Sequence, residues 1–213
     1  MDGPRPPCGG RLHHGCARAI DLRRRIEENL QGFEPVRSRG DLTGAAVAVV
    51  VMRAGQRQSV PIFQRPARMR RHAGQMALPG GRLQEGESVE ACAVRELGEE
   101  LGLEVEAGQV LGRLDDFDTM SGFTIAPVVI WSERDFRELS ISTDEVARLF
   151  MVDLDELRAA AAAVRPGKSF SLALPEVEVF APTAAILYQF SEVALEGRAT
   201  RVADFFQPPW THR

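Results

Sequence analysis

The chain has 213 residues, of which 44% are hydrophobic and 26% charged, and its 26 Lys and Arg against 30 Asp and Glu leave a net charge of -4. That composition excludes a collagenous, coiled-coil or disordered protein, and the acidic balance argues against a generic nucleic-acid or anionic-membrane surface. No apolar run reaches the ~18 residues a membrane span needs.

Residues 1–16 read as a flexible leader, rich in Pro and Gly at the start and without the apolar core of a signal peptide, so the expected location is cytoplasmic. Residues 17–30 carry Ile20, Ile26 and Leu30 among many charges and predict a short amphipathic helix. A loop follows. Residues 43–52 and 60–64 are apolar, β-rich runs joined by a polar connection with one Gly, which suggests a hairpin. Residues 65–81 form a basic stretch that runs into a Gly-rich turn. Residues 87–101 place Ala93, Leu97 and Leu101 at helical spacing, and Gly102 stands where a helix-ending glycine belongs.

Further on, residues 123–131 predict a strand in which Pro127 implies an edge or a bulge. Residues 148–152 predict a strand, and 154–164 a helix that Pro166 and Gly167 end. Residues 169–174 and 176–180 suggest paired strands. Residues 182–196 predict a last helix with Pro182 at its start. Strands mixed with helices in this way give an α/β layered domain over residues 17–196, with an irregular tail at 197–213.

The chemistry concentrates between Gly81 and Leu103. On a helix, Glu96, Glu99 and Glu100 are related by i, i+3 and i+4, so three carboxylates share one face and repel by a few tenths of a kcal/mol per pair. Gly98 between them costs about 1 kcal/mol relative to Ala. A divalent cation would reverse the sign of that repulsion. Oxygen donors without nearby Cys or His favour Mg2+ or Mn2+ over zinc. Such an ion would polarise phosphoryl oxygens and acidify a bound water, and one of the glutamates would take its proton.

The order Gly81, five residues, Glu87, seven residues, Arg95-Glu96-Leu97-Gly98-Glu99-Glu100-Leu101-Gly102-Leu103 resembles the Nudix box at every fixed position. The resemblance implies a mixed β-sheet sandwiched between α-helices, with the box (residues 81–103) as loop-helix-loop. It also implies hydrolysis of a nucleoside diphosphate linked to another group. Within the pattern Glu96, Glu99 and Glu100 match the metal-binding acids, and the Gly80 carbonyl stands where a backbone ligand often does. Glu87 and Arg95 match the ion pair that ties loop to helix. Glu99, Glu100 and Arg95 are the catalytic candidates, with Glu145 in a later loop as a further acid or an exposed turn residue.

The stretch from Arg65 to Gly81 resembles the signature of the coenzyme A diphosphatase group. Arg65, Arg70, His72, Gly74, Pro79, Gly80 and Gly81 match it, whereas Pro66, Met69, Leu78 and Gln84 depart from it. Thr183, Ala184, Ile186 and Leu187 fit that group's C-terminal helix start, while Ala181 and Pro182 do not. The implied substrate is coenzyme A or an acyl-CoA. Its anionic adenylate end would meet Arg65, Arg70, His72 and the Gly81 turn, where arginines supply charge-assisted donors. The same arginines would otherwise form a solvated surface. Rival substrates are ADP-ribose, NADH, a dinucleoside polyphosphate or a damaged nucleotide. A rival of another class is a non-catalytic nucleotide sensor, against which the full set of box acids argues. A homodimer is expected from the resemblance alone.

Three cysteines, Cys8, Cys16 and Cys92, without paired spacing argue against a disulfide framework or a zinc site. Cys92 reads as a packed residue rather than a nucleophile. His13 and His14 are too isolated to bind a metal. Trp131 and Trp210 read as packing residues before base-stacking ones.

Overall fold

The computed structural model describes residues 13–38, 42–68, 72–164, 170–203 and 205, with side chains from residue 19 onward. Arg70, its neighbours Met69 and Arg71, Pro166, Gly167, Trp210 and Cys8 lie outside the described residues, as do the first twelve residues of the leader and the end of the tail.

Helix α1 (His13–Gln31) starts a few residues before the amphipathic pattern suggests and buries Ile26 and Leu30. Strands β1 (Thr43–Ala54) and β2 (Arg57–Gln64) form the expected hairpin, turning at Gly55 with φ 67°. The short strands β3 (Met76–Ala77) and β4 (Gly80–Arg82) lead into α2 (Val89–Leu101). Next come β5 (Val110–Arg113), β6 (Phe117–Asp118), β7 (Phe123–Asp135), β8 (Arg148–Asp153) and α3 (Leu154–Ala162). A two-stranded ribbon, β9 (Ser171–Ala173) with β10 (Glu178–Phe180), precedes α4 (Thr183–Gln189), which continues as π-helical turns over Phe190–Leu195.

Strands β1 and β7 run parallel at the centre of a mixed sheet, with β2 and β4 antiparallel to β1 and β5 and β6 antiparallel to β7. Both faces of β1 are covered, which is why its sequence reads as a continuous apolar run. Alternation sends Ala46, Ala48, Val50 and Met52 toward Leu97 and Leu101 of α2. Val49 and Val51 point the other way, into a core shared with Ile26 of α1, Leu157 of α3 and Ile186 and Phe190 of the last helix. The layers are therefore α/β/α, as expected.

Pro127 does not mark an edge. It lies in the central strand β7, opposite Val47 of β1. Its carbonyl accepts from Leu114 N–H at 3.1 Å, on the side where β5 has ended and β6 has not begun. Successive strand residues alternate the direction of their amide groups, so the missing proline N–H faces this break in the ladder and costs no hydrogen bond. Residues 198–203 form no helix or strand but are anchored. Arg201 pairs with the buried Asp115 at 2.5 Å, Gln189 Nε2 donates to the same carboxylate at 2.7 Å, and Val202 joins the core.

Candidate active site

The loop before α2 crosses the end of the sheet through Gly80 and Gly81, whose cross-strand partners on β1 are Val47 and Ala46. A Cβ on Gly80 would collide with the backbone of Ala46 and Val47, and one on Gly81 would collide with the Glu96 carboxylate. Only glycines let α2 bring its acids this close to the loop. The helix is capped at both ends. Ser88 Oγ accepts from Ala91 N–H at 3.1 Å, and Gly102 adopts φ 63° and donates to the Gly98 carbonyl at 3.0 Å.

Arg95 is the hub of the charged network. Its Nε and Nη2 donate to the two Glu87 oxygens at 2.8 and 3.0 Å, a bidentate pair, and Nη2 also reaches the Arg82 carbonyl at 3.2 Å. Its Nη1 donates to Glu96 Oε1 at 2.7 Å and to Glu99 Oε2 at 3.1 Å. Hydrogen bonds from Arg95 and from the Gln84 backbone hold the Glu87 carboxyl down at about 2. The pair therefore fastens the loop to the helix, as its place in the sequence pattern suggests.

Glu100 behaves differently. It is 3% exposed, and its Oε2 accepts from Gly80 N–H at 2.9 Å. Burial pushes its carboxyl up from 4.5 to about 8. The Gly80 hydrogen bond and Arg65 oppose that rise, while the negative charges of Glu96 and Glu145 add to it. Glu145, exposed in a turn 45 residues further along, is near enough for its charge to act on Glu100. Backbone bonds from Ser142 N–H to the Glu100 carbonyl (2.9 Å) and from Ser140 N–H to the Leu101 carbonyl (3.0 Å) dock that segment on the end of α2. Arg68 holds the same turn, donating to Asp144 Oδ1 at 2.8 Å.

Glu96, Glu99 and Glu100 share the helix face that the spacing predicts, but their carboxylates do not converge on one point. Glu96 and Glu99 close on Arg95, and Glu99 is 56% exposed. Glu100 turns instead to the loop. Among the described residues no three His, Cys, Asp or Glu side chains form a ready metal-holding group.

A cleft of about 660 Å³ opens beside Gly80 and Gly81 on the sheet face opposite α2, between β1, β7 and the start of α4. Arg65 and His72 line it, and the buried Arg65 Nε has no hydrogen-bond partner within the described protein. His72 takes φ 55° and contacts Gln75 Oε1 through Nδ1 at 3.2 Å, in a loop closed at its base by Arg65 N–H donating to the Gln75 carbonyl at 2.9 Å. Thr119, Ser121 and Phe123, from the turn between β6 and β7, complete the wall together with Arg82. None of these four is marked by the sequence pattern: the parallel pairing of β1 with β7 brings the first three to the box, and Arg82 occupies a variable position within it, on β4.

Cys92 is buried under the loop, 3.6 and 3.5 Å from the Gly81 and Arg82 carbonyls. Burial, with the nearby Glu87 charge, pushes its thiol up to about 11, which suits a packed residue and not a nucleophile. Trp131 is 1% exposed in the core, and its indole N–H donates to Glu133 at 2.6 Å.

The site thus belongs to an α/β protein with a mixed sheet between helix layers, a Gly-Gly loop clasped by an acid-rich helix on one sheet face and the cleft on the other. The family model described as NUDIX domain matches residues 42–173. The chain belongs to the Nudix family. It is similar to "Uncharacterized Nudix hydrolase NudL" of Citrobacter koseri, 39% identical over 113 residues, which is 53% of this chain and 58% of that protein. NudL of Cronobacter sakazakii is 37% identical over 135 residues, 62% of this chain and 69% of that one. "Nudix hydrolase 3" of Caenorhabditis elegans is 32% identical over 115 residues, 53% of this chain and 48% of that protein. The chain thus spans about half the length of some of these relatives. Among solved structures, a MutT/nudix family protein from Enterococcus faecalis has the same fold, with a TM-score of 0.52 at 16% identity over 88% of this chain and 75% of that one.

Proposed function

We propose that the protein is a divalent-metal-dependent hydrolase that cleaves the diphosphate of a nucleoside-diphosphate-linked substrate, with coenzyme A or an acyl-CoA as that substrate. Water would add to one phosphorus, releasing 3',5'-ADP and 4'-phosphopantetheine from coenzyme A. We take residues 17–196 as the hydrolase unit, because α1 and α4 complete the second helical layer. The observation that carries the reading is the junction at Gly80. There a buried glutamate from the box helix meets the loop at the mouth of a cleft that also holds an arginine with an unpartnered Nε.

The donor chemistry fits a hard cation. Glu96 and Glu100 repel one another beside the Gly80-Gly81 loop, their oxygens are hard donors, and Arg65 and Arg95 supply positive charge near them. Glu96, Glu99, Glu100 and the Gly80 carbonyl would hold Mg2+ or Mn2+, which when bound polarises phosphoryl oxygens and acidifies water. Arg65, which lines the cleft, would bind a phosphate through its guanidinium. Glu99, Glu100 or Glu145 would accept the proton of the attacking water. Glu99 and Glu145 are both open to solvent, and the charge of Glu145 acts on Glu100. Arg95 orients Glu96 and Glu99 and is a positioning residue.

Coenzyme A is favoured over other nucleotides by the resemblance of the segment before the box. Its Arg65 and His72 line the cleft, while Arg70 lies outside the described residues. The test is full-length protein with coenzyme A and Mg2+, products resolved by chromatography, beside ADP-ribose, NADH and dinucleoside polyphosphates ranked by kcat/KM. The expected result is 3',5'-ADP release that the Glu100→Gln variant lowers at least 100-fold. No cleavage of coenzyme A above that variant rejects the substrate.

A further inference from the structure

One pair of cleft residues plays no part in the chemistry above. The Arg82 guanidinium lies over the Phe123 ring, 4.8 Å from its centroid, and both line the cleft. Among the described residues no carboxylate pairs with Arg82, although the chain is rich in ion pairs. Its backbone is pinned, because the Arg82 carbonyl accepts from Arg95 at 3.2 Å while the side chain extends into the cleft.

Phe123 is equally fixed. Thr119 Oγ1 accepts from Phe123 N–H at 2.9 Å and lies 3.0 Å from the Phe123 carbonyl, and Thr119 N–H donates to that carbonyl at 2.7 Å. The ring is a half-buried aromatic platform at a hydrogen-bonded turn, with a cation above it. The hydroxyls of Thr119 and Ser121, 3.0 Å apart, stand beside it in the cleft wall.

The spacing from the acids matters. Gly80 pairs with Val47 and Phe123 with Thr43, so four residues of β1 separate the junction at Gly80 from the platform. At about 3.3 Å per residue this is about 13 Å, on the order of the span of a nucleoside diphosphate from its outer phosphate to its base.

We propose that Phe123 and Arg82 form a nucleobase clamp. The guanidinium now rests directly on the Phe123 ring, so the exposed Arg82 side chain lifts from that face to admit the base, which then stacks on Phe123 with the guanidinium on its other face. A planar heteroaromatic ring suits both partners, since aromatic faces stack on any base and a guanidinium stacks on π-faces. The clamp rests on the nucleoside-diphosphate reading and assigns the end of the cleft where the nucleoside lies.

The test compares binding of α,β-methylene-ADP and of methylenediphosphonate, which has no base, by calorimetry in Mg2+. Phe123→Leu and Arg82→Ala should each weaken the nucleotide, the former roughly 5- to 150-fold, the range that loss of one aromatic stacking partner produces. Both should leave methylenediphosphonate unchanged. The Phe123→Trp variant adds a spectroscopic signature. Its fluorescence should be quenched by the nucleotide and not by methylenediphosphonate, and Arg82→Ala, at an exposed position, keeps the test valid if a Phe123 variant misfolds. Parent-like nucleotide affinity in Phe123→Leu and Arg82→Ala, or equal weakening of both ligands, overturns the clamp alone. A parent protein that binds neither ligand overturns the clamp together with the nucleoside-diphosphate reading.

Discussion

Glu100→Gln should make the metal-free protein more stable at alkaline pH while abolishing its proposed activity. The folded chain holds the Glu100 carboxyl at about 8 against 4.5 in the reference state, with burial as the main cause. Below pH 4.5 both states carry the proton and the group contributes no pH dependence. Between 4.5 and about 8 the folded state keeps a proton that the unfolded state has released, so stability falls by about 1.4 kcal/mol per pH unit. Above about 8 both states are ionised and the full penalty, about 4–5 kcal/mol, is in place. Gln cannot ionise, yet its amide oxygen can still accept from Gly80 N–H, so the variant lacks this slope and keeps the hydrogen bond. Thermal unfolding in EDTA at pH 5 and pH 8 is the assay. The change between these pH values is about 3.5 kcal/mol, so at about 2–4 °C per kcal/mol for a chain of this size the Tm difference between variant and parent should grow by roughly 7–14 °C from the lower to the higher pH. Mg2+ at pH 8 should then raise the Tm of the parent and leave that of the variant. Parallel Tm curves for the two proteins across this range would refute the argument that Glu100 is a buried, destabilising carboxylate.

Other substitutions separate loop geometry from helix stability. Gly81→Ala should lower kcat at least tenfold with a small change in stability, because the new Cβ meets the movable end of Glu96, and steady-state kinetics beside urea unfolding checks both parts. Gly80→Ala should cost about 2–4 kcal/mol in urea unfolding, because its Cβ meets backbone that cannot yield. Arg95→Met leaves Glu87, Glu96 and Glu99 without their shared cation and should cost about 2–4 kcal/mol, measured in the same way. Gly98→Ala has free space around the new methyl group and should stabilise the helix by about 0.5–1 kcal/mol, seen as a rise in Tm.

Much of this site is written locally, which is why it could be read from residue order. Glu87 and Arg95 meet because a loop and two helical turns place them together, and Gly102 ends α2 because only a left-handed residue closes it there. Residues assembled by the sheet were not legible. Phe123, Thr119 and Ser121 reach the cleft through the pairing of β7 with β1, and Arg82 through that of β4 with β1. Pro127 misled for a related reason. A proline argues for an edge only where its missing N–H would face a partner, and here the break between β5 and β6 faces it instead. The spacing of Glu96, Glu99 and Glu100 correctly placed them on one face, yet it could not show that Arg95 draws two of them away from the third.

That division of the acids makes cation uptake the most direct test of the account. Mn2+ titrated into the full-length protein and followed by electron paramagnetic resonance should be taken up in the parent and lost or strongly weakened in Glu96→Gln and Glu100→Gln, each folded as judged by circular dichroism. Uptake unchanged in both variants would contradict the claim that these carboxylates hold the ion.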